Sequence, residues 1–275
     1  MRTMFKLFAL AVVFVLLLGL AATGFAAPTA EIALTPDKIE IGTRFNGGEV
    51  KVTGRVPEGS QVIIQAISPE KRVALSKKGK VSGVWMTVEK TQVSGMPAMF
   101  KVYTSGKMDD IPADVQKELG IDSDFSAVKS LAKVTEKHEE KTVTLEKARA
   151  EEFVNGLISL YREKNLYTVD ENAVKVEGER FEAVLQIPAD IPRGETRVLV
   201  YAVGSDGSVV ASSSALLKVE AVGLVRTLGD MATHNAVAYG ILAVGVALVT
   251  GILIAQFFKW LQKVVFKEEH VEVGH

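Results

Sequence analysis

From Glu31 to about Tyr103, apolar residues recur at every second position: Ile32 and Leu34, Ile39 and Ile41, Val50 and Val52, Val62 and Ile64, Val73 and Leu75, then Val84, Met86 and Val88, then Val102. A period of two sends successive side chains to opposite faces of an extended chain, so each run predicts a half-buried strand. Asn46-Gly47-Gly48, Pro57-Glu58-Gly59, Ser68-Pro69 and Lys78-Gly79 punctuate the runs closely enough for antiparallel turns. No helical pattern lies between them to carry parallel crossovers.

The pattern turns helical from about Asp109 to Leu166. Asp110 and Pro112 mark one start and Gly120 its stop, and a second short helix carries Phe125, Val128 and Leu131 on one face. The longest helix is expected from about Leu145 to Lys164, capped by Thr144, with Phe153, Leu157, Leu160 and Tyr161 on its apolar stripe. Alternation returns at Val174/Val176, Phe181 to Ile187, Val198 to Val203 and Val209 to Val219, which predicts four more strands. Four strands alone make a thin core. The reading is therefore a mainly β chain, an immunoglobulin-like antiparallel sandwich over 27–228 with a helical insertion at about 109–166; two separate domains are the alternative.

Both ends are apolar in different ways. Arg2 and Lys6 precede the run Leu7 to Leu20, and Gly24 and Ala26 supply small residues before Ala27, the order of a secretory signal over 1–26; an uncleaved anchor is the alternative. Between Asp230 and Lys259 there is no Asp, Glu, Lys or Arg, and 236–258 is long enough at about 1.5 Å per residue to cross a hydrocarbon core of roughly 30 Å. Lys259, Lys263 and Lys267 follow, so the tail 259–275 is expected in the cytoplasm, with Phe257, Phe258 and Trp260 at the inner interface and Tyr239 near the outer one. Together these place the chain in the cytoplasmic (inner) membrane, single-pass after signal cleavage, its bulk periplasmic.

Charge and chemistry narrow the picture further. With 32 Lys+Arg against 33 Asp+Glu the net charge is -1, which gives no polyelectrolyte signal for nucleic acid. Cysteine is absent, which excludes disulfides, thiolate metal sites and Cys nucleophiles. His138, His234, His270 and His275 form no metal-spaced pair, and there is no nucleophile elbow, Walker loop or dinucleotide fingerprint. Asp122-Ser123-Asp124 lacks the glycine and distal glutamate of a calcium loop and reads as helix capping. Asp109, Asp110, Asp114 and Glu118 read as solubilising groups on an exposed helix. The expectation is a protein that is not an enzyme and takes no cofactor.

Three features remain as contact candidates. Trp85 follows Gly83 in a strand run and is expected as a core anchor of the sandwich, with an exposed hot spot as the alternative. Lys71, Arg72, Lys77, Lys78 and Lys80 crowd one hairpin, a positive field for an anionic partner. Ala243, Ala247, Gly251 and Ala255 recur every four residues in the membrane segment, a flat stripe on which another helix can pack.

Arg44-Phe45-Asn46-Gly47-Gly48-Glu49 leading into Val52-Thr53-Gly54, Val81-Ser82-Gly83-Val84-Trp85, Ile187-Pro188-Ala189-Asp190-Ile191-Pro192-Arg193-Gly194 and Tyr239-Gly240 together carry a resemblance over most of the chain. The chain resembles a family of uncharacterised proteobacterial transmembrane proteins, each an exported domain followed by a C-terminal membrane helix. In that family a polar Asn commonly follows the tryptophan, where this chain has Met86 and Thr87. The resemblance carries over no catalytic residue and implies an accessory role beside a permease of the anion-exporter type. The expected function is thus a membrane-anchored periplasmic accessory or interaction protein; a periplasmic module binding an anionic ligand is the alternative. A polytopic permease and a second copy of the chain are the candidate partners.

Overall fold

The computed structural model describes residues 30–138 and 141–265. The expected signal and its cleavage point before Ala27 lie outside the described residues, as does the tail from Phe266 onward. The described strands are β1 (Glu31–Thr35), β2 (Lys38–Ile41), β3 (Gly48–Arg55), β4 (Gln61–Ile67), β5 (Val73–Val81), β6 (Val84–Ser94), β7 (Phe100–Thr104), β8 (Lys133–His138), β9 (Lys141–Thr144), β10 (Tyr167–Asp170), β11 (Val174–Glu177), β12 (Arg180–Ile187), β13 (Gly194–Val203) and β14 (Val209–Ala221). The helices are α1 (Ala113–Leu119), α2 (Ser126–Ser130), α3 (Lys147–Glu163), α4 (Gly223–His234) and α5 (Ala236–Val265). By contacts the chain divides into two units. One holds the strands, apart from the ends of β2 and β14, and α1 to α3; the other holds Glu40–Phe45 with α4 and α5.

The first unit is sandwich-like. One sheet runs β1-β3-β12-β11 and the other β10-β7-β4-β13-β14-β2. Strands from before and after the insertion share both sheets: β12 lies antiparallel to β3 over eight residue pairs, from Arg180↔Arg55 to Ile187↔Gly48, and β13 lies antiparallel to β4. Alternation has its expected cause in β12, where Phe181, Ala183, Leu185 and Ile187 are buried and the residues between them exposed. Gly54 shows how tight this sheet is. A Cβ there would stand 1.9 Å from the Glu31 carbonyl oxygen and 2.6 Å from the Phe181 ring, so the Thr53-Gly54 pair lets β1 and Phe181 close over β3.

Several expectations are corrected. The region 109–166 is not wholly helical, because β8 and β9 lie inside it and pair antiparallel with each other; β8 also pairs with β6, completing a third sheet β5-β6-β8-β9. Thr144 does not cap the long helix. It belongs to β9, and the Leu145 N–H donates to the Val134 carbonyl, so ladder bonding runs almost to Glu146, where α3 begins without a side-chain cap. Leu160 and Leu131 are exposed, while Val154 and Ile158 join Phe153, Leu157 and Tyr161 on the buried face of α3. β5 and β6 leave the sandwich for the third sheet. Trp85 is therefore not a sandwich core residue and does not supply the buried tryptophan of an immunoglobulin domain.

One pair is parallel: β10 lies beside β7 from Tyr167↔Phe100 to Asp170↔Tyr103. Parallel neighbours need a long crossover, and the whole insertion supplies it. The insertion is fixed to the six-stranded sheet by an aromatic cluster. Phe125 meets Phe100 and Tyr167 at centroid distances of 5.9 and 5.2 Å, and Tyr161 meets Tyr167 at 5.1 Å. The buried Tyr167 hydroxyl donates to the Pro97 carbonyl at 2.6 Å, and Gln65 donates from Nε2 to the Leu119 carbonyl at 2.6 Å. Asp122 accepts from the Ser126 N–H at 3.0 Å and from its hydroxyl at 2.7 Å at the start of α2, while the N-cap position itself, Phe125, makes no side-chain cap bond.

In the second unit, α4 runs to His234 and Asn235 breaks the helix. The Asn235 side-chain oxygen accepts the Ala238 N–H at 3.0 Å, so it caps the start of α5. Ala236–Lys263 is long and apolar enough to cross a membrane.

Candidate functional site

The five candidate cations fall in two places. Lys77, Lys78 and Lys80 lie on β5, which forms with β6 an arm that turns at Ser82-Gly83, both at positive φ (51° and 86°), the turn geometry of a two-residue hairpin. Register assigns the faces. Val81 pairs with Val84 and Gly79 with Met86, so these share one face. Val88 belongs there too, since a Cβ on Gly79 would stand 3.0 Å from its Cγ1. The opposite face carries Lys80 beside Trp85 and Lys78 beside Thr87.

Both faces at the arm's end are uncovered. Trp85 is 66% exposed, and Val81, Val84, Met86 and Val88 are exposed as well. The Lys80 ammonium stands 5.6 Å from the Trp85 ring centroid, and Lys78 donates to the Thr87 hydroxyl at 2.6 Å. One face is thus apolar and the other cationic and aromatic. Lower on the arm, ion pairs tie it to α3: Lys77 to Glu152 at 2.5 Å, and Arg149 to both Glu89 and Glu136. The arm is therefore braced at its base and bare at its end.

Lys71 and Arg72 precede β5 and do not join the other three. They line a cleft of about 570 Å³ between the foot of the arm and α3, with Leu157, Leu160, Tyr161 and Lys164 on the helix side. Lys164 binds Asp190 at 2.6 Å, and this pairing raises the lysine's pKa. Sequence reading missed Lys164 and Asp190 as neighbours of the basic pair. Asp190 lies in the Ile187–Gly194 segment, whose distinctive run was visible, but nothing in its spacing pointed to the end of α3. Exposed Leu160, misassigned to the helix core, is a wall of this cleft.

Ala243, Ala247, Gly251 and Ala255 lie on α5 as expected, and the window of α5 that qualifies as a span has no residue buried within the chain. Among the described residues no group of three or more His, Asp or Glu is placed to hold a metal ion. Two of the segments that carry the resemblance meet in the first unit. A Cβ on Gly47, at φ 99°, would stand 2.8 Å from the Ile187 carbonyl oxygen, so the Asn46-Gly47-Gly48 turn and the Ile187-Pro188 segment approach as closely as backbone allows.

No curated protein and no solved structure matches the chain. A family profile does match, over residues 29–260, and so takes in nearly all of the sandwich, the arm, the insertion and α5; its description is "Putative transmembrane protein (Alph_Pro_TM)". A match of that length, ending within the one described helix able to cross a membrane, makes this chain a member of that transmembrane protein family.

Proposed function

We propose that the protein is a non-catalytic accessory subunit: an exported, periplasmic domain held at the inner membrane by α5, which uses its β5–β6 arm to dock on a membrane-embedded partner. The observation that carries this reading is the bare end of the arm, with Trp85 on one face and Val81, Val84, Met86 and Val88 on the other. A large rigid aromatic left in solvent on a braced hairpin has no use in the chain's own core, and such residues dominate protein contact surfaces. The lysines beside Trp85 favour an acidic rim on the partner. A permease of the anion-exporter type fits the family resemblance.

The test is a photo-crosslinking amino acid at position 84 in the full chain, activated in native membranes. Attachment to a single polytopic protein is expected, with loss when Lys78 and Lys80 are both changed to Glu. Crosslinks to lipid alone would make the arm a membrane-surface contact and remove the subunit reading. A second reading rests on the cleft, where Lys71 and Arg72, opposite the Lys164–Asp190 pair, line a volume suited to a small anionic ligand. It expects binding that weakens in Arg72→Gln and is indifferent to Trp85→Ala.

A further inference from the structure

β7 carries a lysine on the wrong side. Phe100 meets Phe125 of the insertion, so Phe100, Val102 and Thr104 face that way. Lys101 and Tyr103 face the other sheet, and the Tyr103 hydroxyl accepts the Gln186 N–H of β12 at 3.1 Å. Lys101 is 3% exposed, with Ala66 beside it on β4 and Thr168 on β10. Among the described residues its side chain forms no hydrogen bond and no ion pair. Burial lowers its pKa, opposed by the charge of Asp170 acting through space.

Lys101 lines a cavity of about 540 Å³ at the edge of the sandwich, together with Asn46, Asn165, Thr168, Asp170 and Gln186. Ile187, Pro188 and Ala189 form one wall, held by the close approach of Gly47 to Ile187, a fit that any Cβ would spoil. The Thr168 hydroxyl donates to Asp170 at 3.0 Å and holds that carboxylate in place. A lysine side chain this buried, its ammonium unpaired where it lines the cavity, favours an anionic oxygen, and the amides of Asn46 and Asn165 are neutral donors. The nearby carboxylate disfavours a bare anion and favours one that brings a donor.

We propose that this cavity binds a small oxyanion carrying its own hydroxyl or N–H donor, with the anionic oxygen on Lys101 and the donor on Asp170. The site is separate from the arm and does not depend on its docking role. Lys164 lines both this cavity and the cleft, but it is exposed and already paired with Asp190.

The test uses the full chain in nanodiscs, with thermal unfolding followed in inorganic phosphate or in glycine against sodium chloride at matched ionic strength. A saturable rise in Tm is expected with phosphate, a protonated oxyanion, or with glycine, a zwitterion, and the one that acts identifies the class. Lys101→Met keeps the side-chain length and should abolish the rise. Lys164→Met should retain it. Asn165→Asp, at an exposed position whose φ of 54° Asp can adopt, should shift the midpoint of the titration several-fold to higher ligand. The proposal is overturned if neither probe raises the wild-type Tm saturably, if Lys101→Met responds as wild type does, or if Lys164→Met loses the response equally. Should Lys101→Met fail to fold, an unchanged midpoint in Asn165→Asp overturns it instead.

Discussion

Lys101 makes stability depend on pH in a direction that can be worked out. Burial weakens proton binding in the folded chain, so between its lowered pKa and the ordinary value of 10.5 the unfolded chain holds more protons. Stability therefore rises with pH across that window, and the penalty is fully present below it. The buried phenols of Tyr103, Tyr161 and Tyr167 act oppositely above pH 10, since burial raises their pKa values and favours the neutral form. Comparison with Lys101→Met cancels them. At pH 7 that variant should be more stable than wild type by roughly 1 kcal/mol in urea unfolding, and the gap should close toward pH 10.5. A gap that widens with pH would mean the lysine is stabilised where it sits. A second expectation concerns Tyr167→Phe, which strands the Pro97 carbonyl and should cost about 1–2 kcal/mol by the same measurement. Lys101 was invisible in the sequence because Phe-Lys-Val-Tyr reads as ordinary alternation with the lysine outward. That reading fails on a strand covered on both faces, as all five residues of β7 are. Trp85 failed for the converse reason: large apolar residues imply burial only when something packs on them, and the arm extends past its support.

At the scale of elements, the strands of the arm were legible and their sheet was not. Alternation reports that a segment is extended, not which neighbour it pairs with, and β5 and β6 pair first with each other. β8 and β9 were lost because they hold one apolar residue each, Val134 and Val143, amid charges that imitate the solvated face of a helix. The cost of substitution should follow position. Trp85→Ala is expected to shift folding stability by no more than about 0.5 kcal/mol, while Phe125→Ala, which empties the aromatic cluster, should cost about 3–5 kcal/mol. Denaturant midpoints of the two variants check this. A large loss from Trp85→Ala would place that ring in a packed core after all. In α5, small residues at every fourth position leave a shallow groove, so Gly251→Leu should reduce helix-mediated crosslinking while leaving abundance and insertion unchanged. Should Val249→Trp disrupt association while Gly251→Leu does not, the stripe faces lipid.

For the whole molecule, the membrane helix was the easiest element to read, because a long, uncharged apolar run suits little besides a hydrocarbon core, while α4 escaped notice as a helix of mixed polarity just before it. The lysines after Phe258 predict that a reporter active only in the cytoplasm will work when fused after Phe266; activity of a strictly periplasmic reporter there would invert the orientation. The pairing of strands before and after the insertion was only half legible, since alternation at both ends suggested one sandwich but could not say that β3 and β4 supply the seams. Those seams constrain when the protein can fold. Glu49 and Gln186, which bond across β3 and β12, are 137 positions apart in the chain. As the polypeptide emerges from its N-terminus, β3 has β1 on one side and β4 has β7, but their remaining edges stay open until β12 and β13 arrive. Contacts of such high order make closure slow, in the millisecond-to-second range or beyond, and exposed edges in the interval can pair with other chains. Among the described sheets only the third, built wholly from residues before Leu145, can form early, which makes the arm the first of them able to meet a partner and the sandwich the last to close.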